Sequence, residues 1–283
     1  MDVEIAEERI FVLTERFSLD HAEGRAWARR ADAFGTVARL GGLLNRSTSE
    51  DYECVYRERR LQPFWHLHAT ATAGYERTRS YTLTVSPSVR SVRVFGEELP
   101  VDKGQFRLSG LESCRDETSR QYLFDGLSRT ENPTLASYLT YPGTVTDADA
   151  LAEAARGGVV VVPPENKASM LVREVMSAAI GKIDADRVLE ERVTVDLVDL
   201  VYRPVFAFRY RHAGKEAVVE FDGLTGDIRP DGATFEQYLG KILEPRFLLD
   251  VGVEAVNIFV PGTQLVRIIA EQGAKQVAQH RDA

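Results

Sequence analysis

Apolar and polar positions change period several times along this chain. Residues 9–16 (Arg-Ile-Phe-Val-Leu-Thr-Glu-Arg) read as a strand. Ser18 reads as a helix N-cap, with Asp20 in the first turn where the helix dipole favours an anion. Ala26, Trp27, Phe34, Val37 and Leu40 follow at near-helical spacing, and Gly41-Gly42 offers a stop. From 52 to 95 the period becomes two, which predicts strands at about 52–61, 64–73, 79–85 and 90–95. The stretch 96–145 is irregular and rich in Gly and Pro, and a domain boundary is expected within 130–147. Thr146 reads as the next N-cap, for a helix that stops near Gly157-Gly158. The four valines 159–162 predict a short buried strand, closed by Pro163-Pro164. Residues 168–180 predict a helix with Leu171, Val172, Val175, Met176 and Ala179 on its apolar side. Period two returns over 188–228 and ends in a glycine-bearing hairpin at 220–228.

Two segments resemble each other: Leu-Gln-Pro-Phe-Trp-His-Leu-His-Ala at 61–69 and Tyr-Arg-Pro-Val-Phe-Ala-Phe-Arg-Tyr at 202–210. With Pro63 aligned on Pro204, the upstream helices end at Leu40 and Gly181, equally far before their prolines. Each half then reads helix, long strand, proline break, strand, turn, strand. Alternation puts Trp65, Leu67, Ala69, Ala71 and Ala73 on one face, matched by Phe206, Phe208 and Tyr210, and these faces are expected under the helices. The opposite face carries Phe64, His66, His68, Thr70 and Thr72.

The second copy, with Tyr202-Arg203-Pro204 leading a strand and the turn Asp-Gly-Leu-Thr-Gly at 222–226, resembles the PepSY and cystatin-like domains. The resemblance covers about 165–230, with a fainter echo at 19–95. It implies a helix laid on a curved antiparallel sheet, in domains associated with binding or inhibiting peptides and proteases. The expected fold is therefore α+β: two similar helix-plus-sheet units and a C-terminal helical hairpin. The expected division is 1–140, 141–232 and 233–283.

Composition narrows the function classes. The 283 residues are 44% hydrophobic and 28% charged, enough apolar surface for a full core. A net charge of −8 argues against a broad nucleic-acid-binding face. The acidic start Met-Asp-Val-Glu-Ile-Ala-Glu-Glu has no signal-peptide core, and no stretch of ~20 uncharged apolar residues exists. Cys54 and Cys114 fit no Cys-x-x-Cys spacing and read as two reduced thiols. A cytoplasmic location is expected. Lysine occurs only at 103, 167, 182, 215, 241 and 275, the arginine bias of a GC-rich bacterial genome.

No motif specifies a reaction, and no cofactor or metal is expected. His66 and His68 lie two apart on a strand, so both rings point one way, but a metal site needs three or four ligands and two are named. Arg57, Arg59, Arg60, Arg77 and Arg79 form a local basic group that either receives a phosphate or carboxylate or pairs with Glu53, Glu58 and Glu76 among them. Cys114 is a candidate nucleophile in search of a base.

Residues 247–260 are apolar except for the narrow stripe Asp250, Glu254 and Asn257, and a second amphipathic segment follows Pro261-Gly262. Either the two helices complete the core, or Leu248, Val251, Phe259, Leu265, Ile268 and Ile269 meet another chain. The polar face lacks the Lys/Arg density of a membrane-surface helix, so a protein partner or self-association comes first. The reading is a non-catalytic bacterial protein-interaction or adaptor protein. The alternative is a hydrolase using Cys114 or a metal at His66 and His68.

Overall fold

A computed structural model of the chain describes residues 1–34, 52–179 and 181–230. The elements in order are β1 (Asp2–Ile5), β2 (Glu8–Leu13), α1 (Leu19–Ala28), β3 (Tyr52–Thr84), β4 (Ser91–Val94), β5 (Glu97–Pro100) and β6 (Gln105–Asp125). Then come β7 (Gly143–Thr146), α2 (Ala148–Arg156), β8 (Val159–Val161), α3 (Ala168–Ala179), β9 (Arg187–His212), β10 (Lys215–Asp222) and β11 (Ile228–Arg229). Short 3-10 segments occupy Arg30–Phe34 and Pro133–Thr140.

Two very long strands, β3 and β9, form the spine. They pair antiparallel from Tyr52↔His212 to Glu76↔Arg187. The outer edge of β9 takes β1 and β2 in parallel and then β10 antiparallel. The outer edge of β3 takes β8 in parallel and then β6 antiparallel. With β7 on β2 and β11 on β10, this makes one nine-stranded mixed sheet.

That sheet corrects the expected fold. The described residues are mostly β, and they are not an α+β pair of cystatin-like units. The strands expected separately at 52–61, 64–73 and 79–85 are one strand, β3. Pro63 and Pro204 do not start strands; both lie inside the spine. The reason is local. Pro63 falls in the gap between β8, whose last partner is Leu61, and β6, whose first is Phe64. Its carbonyl points to that outer edge and accepts from the Gly126 N–H at 3.2 Å, so the missing proline N–H also faces the gap and removes no ladder bond. Pro204 sits likewise between the partners of β2 and β10 and accepts from the Gly223 N–H at 2.9 Å. The helical hairpin expected at 233–283, with Leu248, Val251, Phe259, Leu265, Ile268 and Ile269, lies outside the described residues, as do Val37 and Leu40.

The two halves are related by a quasi-two-fold arrangement within this one sheet. Phe-Asp-Gly-Leu recurs at 124–127 and 221–224. In each copy one aspartate oxygen accepts two successive backbone N–H groups: Asp125 from Leu127 and Ser128, Asp222 from Leu224 and Thr225, all at 2.9–3.0 Å. The Arg16 N–H donates to the Gly223 carbonyl, and its counterpart Glu165 donates to the Gly126 carbonyl. A Cβ on Gly126 would lie 2.4 Å from the Pro63 oxygen, and one on Gly223 2.9 Å from the Pro204 oxygen, so only glycine fits either turn.

The helices cover one face and exchange between halves. α1 packs Ala22 and Ala26 on Phe206, Phe208 and Tyr210 of the second half. α3 packs Leu171, Val172, Val175 and Met176 with Trp65, Leu67 and Ala69 of the first. Trp65 also donates its indole N–H to the Asn166 carbonyl at 3.2 Å. Ser18 caps α1, while α2 is capped by Asp147, one residue after Thr146. On the opposite face the 3-10 segment Pro133–Thr140 seats Leu135 and Tyr138 against Phe64, Leu123, Val201 and Leu224. Beyond that cover the opposite face turns polar.

Candidate functional site

His66 and His68 lie on this polar face, on β3. Strand pairing brings His66 beside Asp199 of β9, and brings Gln121 and Ser119 of β6 alongside. Arg9 of β2, in register with Asp199, makes a two-pronged contact to its carboxylate at 2.8 and 3.0 Å. The Gln121 side-chain nitrogen lies 2.8 Å from His66 Nε2. Burial pushes the His66 pKa below its usual value; the Asp199 carboxylate opposes this, and the neighbouring His68 and the Arg9 guanidinium add to it.

His68 joins two further groups. Its Nδ1 is 2.6 Å from Asp196 Oδ1, and its Nε2 is 2.9 Å from Ser119 Oγ. Asp196 reaches it through a β-bulge: His68 pairs with Leu197 and Ala69 with Val195, so Asp196 is an extra residue whose side chain is redirected. The His68 and Asp196 side chains are 33% and 47% exposed, so the cluster is open to solvent. It sets a hydroxyl, an imidazole and a carboxylate in one hydrogen-bonded series across three adjacent strands.

The five arginines do not converge. Arg57 meets Glu23 at 3.3 Å and Arg59 meets Glu15 at 2.9 Å, both on the helix side. Arg60 is fully buried between Glu58 and Glu220. Arg77 meets Glu112 and Arg79 meets Asp184, each at 2.6 Å. Of the carboxylates named from sequence, only Glu58 appears among these partners. Arg77 lines a cavity of about 320 Å³ with Tyr75, Asp116, Lys182 and Arg192, beside the end of α3. Cys114 pairs in register with Tyr75 and so faces the helix side, with the sheet between it and the two histidines. Cys54 and Cys114 are free thiols. Among the described residues no group of three or more His, Cys, Asp or Glu is arranged to hold a metal.

A second polar cluster is buried. Arg203 donates to Asp222 at 2.6 Å and to the Tyr138 hydroxyl at 2.8 Å through Nη1, and to the Gln62 oxygen at 2.8 Å through Nη2. Burial pushes the Tyr138 pKa up to about 12.

Sequence reasoning placed the two histidines on one face and missed Ser119, Asp196, Asp199, Gln121 and Arg9. Those residues are distant in the chain, and Asp196 is aimed by a bulge that hydrophobic alternation does not announce.

Past Glu76, β3 leaves β9 behind, and, among the described residues, 77–84 and 105–112 pair only with each other, as an arm. Its end carries the β4–β5 hairpin. Phe95, in the left-handed region at φ 48° ahead of Gly96, is 99% exposed at the hairpin tip. Tyr81, Leu83 and Leu111 are exposed along the arm.

No protein-family model, curated protein or solved structure matches the chain. No helix among the described residues is long and apolar enough to cross a membrane.

Proposed function

We propose that this chain is a cytosolic protein-interaction or adaptor protein that docks its partner through the β3–β6 arm. One observation carries the reading: the arm is a two-stranded ribbon with apolar side chains on both faces and Phe95 bare at its tip. A lone hairpin is marginal in water, and an exposed apolar ribbon gains stability when another chain covers it. Along the arm, the outer edge of β6 pairs with no other strand among the described residues and offers backbone groups to an extended strand of the partner, a recognised mode of peptide capture.

The test places a photoreactive residue at Phe95 and, as a control, at the exposed Val145 of β7. Irradiation in the producing cell is expected to give one adduct at position 95, mapping to one segment of one partner, and none at 145. Replacing residues 79–110 by Asn-Gly is expected to abolish that adduct's partner binding with an unchanged far-ultraviolet spectrum. Equal adducts at both positions, or none at 95, would refute docking through the arm.

A further inference from the structure

Ser119, His68 and Asp196 come from β6, β3 and β9, and we propose that they form a nucleophilic acyl-transfer site for small activated carboxylic esters. A carboxylate only accepts hydrogen bonds, so the 2.6 Å contact from Asp196 places the imidazole proton on His68 Nδ1. The lone pair of Nε2 then faces the Ser119 hydroxyl at 2.9 Å. Nucleophile, base and orienting carboxylate thus stand within the 2.6–3.2 Å reach that proton transfer needs. The same order of roles recurs on unrelated folds and is recognised by geometry.

The bulge that aims Asp196 belongs to the scaffold. Its counterpart in the other half falls at Val55, between the pairs Cys54↔Tyr210 and Tyr56↔Arg209. There Arg209 stands where His68 does and Glu216 where Ser119 does, at 3.6 Å from each other. The fold builds the bulge with either set of side chains, so the sheet does not require serine, histidine and aspartate at the first site. Their presence there in working order is a chemical feature added to a repeated frame.

In the reaction, Ser119 Oγ bonds to the ester carbonyl carbon while its proton passes to His68 Nε2, and the carbonyl π electrons move to oxygen. The tetrahedral oxyanion collapses, the carbon–oxygen bond to the leaving group breaks, and His68 returns the proton to the departing alcohol or phenol. Water then attacks the acyl-serine with His68 as base. Collapse releases the carboxylic acid and restores Ser119. Ser119 and His68 are the catalytic residues, and Asp196 is a positioning residue acting through His68.

The sheet also limits the substrate. Backbone N–H groups of β6 lie in the plane of the sheet, aimed at β3 or at the outer edge rather than at the face that carries Ser119, so the oxyanion must rely on side chains, for which Thr70 opposite Ser119 and Gln121 next on that face of β6 are placed. Loss of one good oxyanion donor slows such reactions by ~10²–10³. That restricts the site to esters with good leaving groups, and its openness restricts it to small acyl chains.

The test uses the full chain with p-nitrophenyl acetate and with a fluorophosphonate probe, whose phosphorus bonds to Oγ as fluoride leaves. The expected result is a single adduct on the Ser119 peptide and ester hydrolysis with an initial burst. Ser119→Ala should remove both. His68→Gln should slow both about 100-fold, within the range of general-base contributions. Asp196→Asn should slow them at least ~10-fold with Asp196→Glu recovering part, which a merely structural role would not produce. Cys114→Ser should leave them unchanged. Each variant's melting temperature separates loss of chemistry from loss of fold. No adduct on Ser119, an adduct elsewhere, or hydrolysis that survives Ser119→Ala would overturn the proposal.

Discussion

Gln62 and Arg203 are cross-strand partners at the centre of the β3–β9 ladder, and the Arg203 guanidinium donates to the Gln62 side-chain oxygen at 2.8 Å. They occupy equivalent positions, each one residue before its proline, so the quasi-two-fold axis of the sheet passes between them. Symmetry is broken there by charge. Arg203 needs an anion, and Asp222 supplies it; Asp125, the counterpart, serves only its own turn.

That asymmetry predicts unequal consequences for the two turns. Asp125→Ala removes two hydrogen bonds to backbone N–H groups and should cost about 1–2 kcal/mol. Asp222→Ala removes the same pair and also strands Arg203, whose side chain is 7% exposed, so about 3–5 kcal/mol is expected. Urea unfolding of both variants decides it; equal losses would show that Arg203 does not depend on Asp222.

Phe206 has no exposed surface and lies under α1. Phe206→Ala should destabilise by ~3–5 kcal/mol, the cost of emptying a well-packed aromatic site. A loss below ~1 kcal/mol would mean that α1 does not hold this face closed.

The exchange of helices predicts that neither half folds alone. Residues 1–146 lack α3 to cover Trp65 and Leu67, and residues 147–283 lack α1 to cover Phe206 and Phe208. The isolated fragments should show no cooperative melting, and mixing them during refolding should restore a one-to-one complex with the native spectrum. Independent folding of either fragment would contradict the shared sheet.

His66 ties stability to pH. Its folded pKa lies below the usual 6.5 because burial disfavours the charged ring. As pH falls through 6.5 the unfolded chain therefore takes up this proton first, and stability is lost on the acid side, between the ordinary pKa and the lowered one. Asp199, His68 and Arg9 are the titratable and charged groups acting on it. His66→Gln should flatten the acid-side slope of the urea midpoint and leave the slope above about pH 7 unchanged. An identical profile in the variant would remove His66 from the account.

Much of the local architecture was legible from the residues. Alternation along 64–73 separated Trp65, Leu67 and Ala69 from His66 and His68, and the same pattern placed Phe206, Phe208 and Tyr210 together; the sheet keeps all of these faces. The helix at 168–179 and the valine strand followed from period and run length. These features depend only on neighbours in the chain, because side-chain direction repeats with the backbone period.

Pairing is a different kind of information. Whether a proline ends a strand or sits within one depends on what lies along that edge, and at Pro63 and Pro204 a gap between two partner strands removes the penalty. Which helix covers which face was decided by the crossing of β3 and β9, so α1 lies on the second half and α3 on the first. The approach of Ser119 and Asp196 to His68 required three distant strands in register and one bulge. The sequence alone determined the faces of its strands and helices; only the tertiary structure decided which faces meet, because register between distant strands is set by packing of the whole sheet rather than by any local pattern.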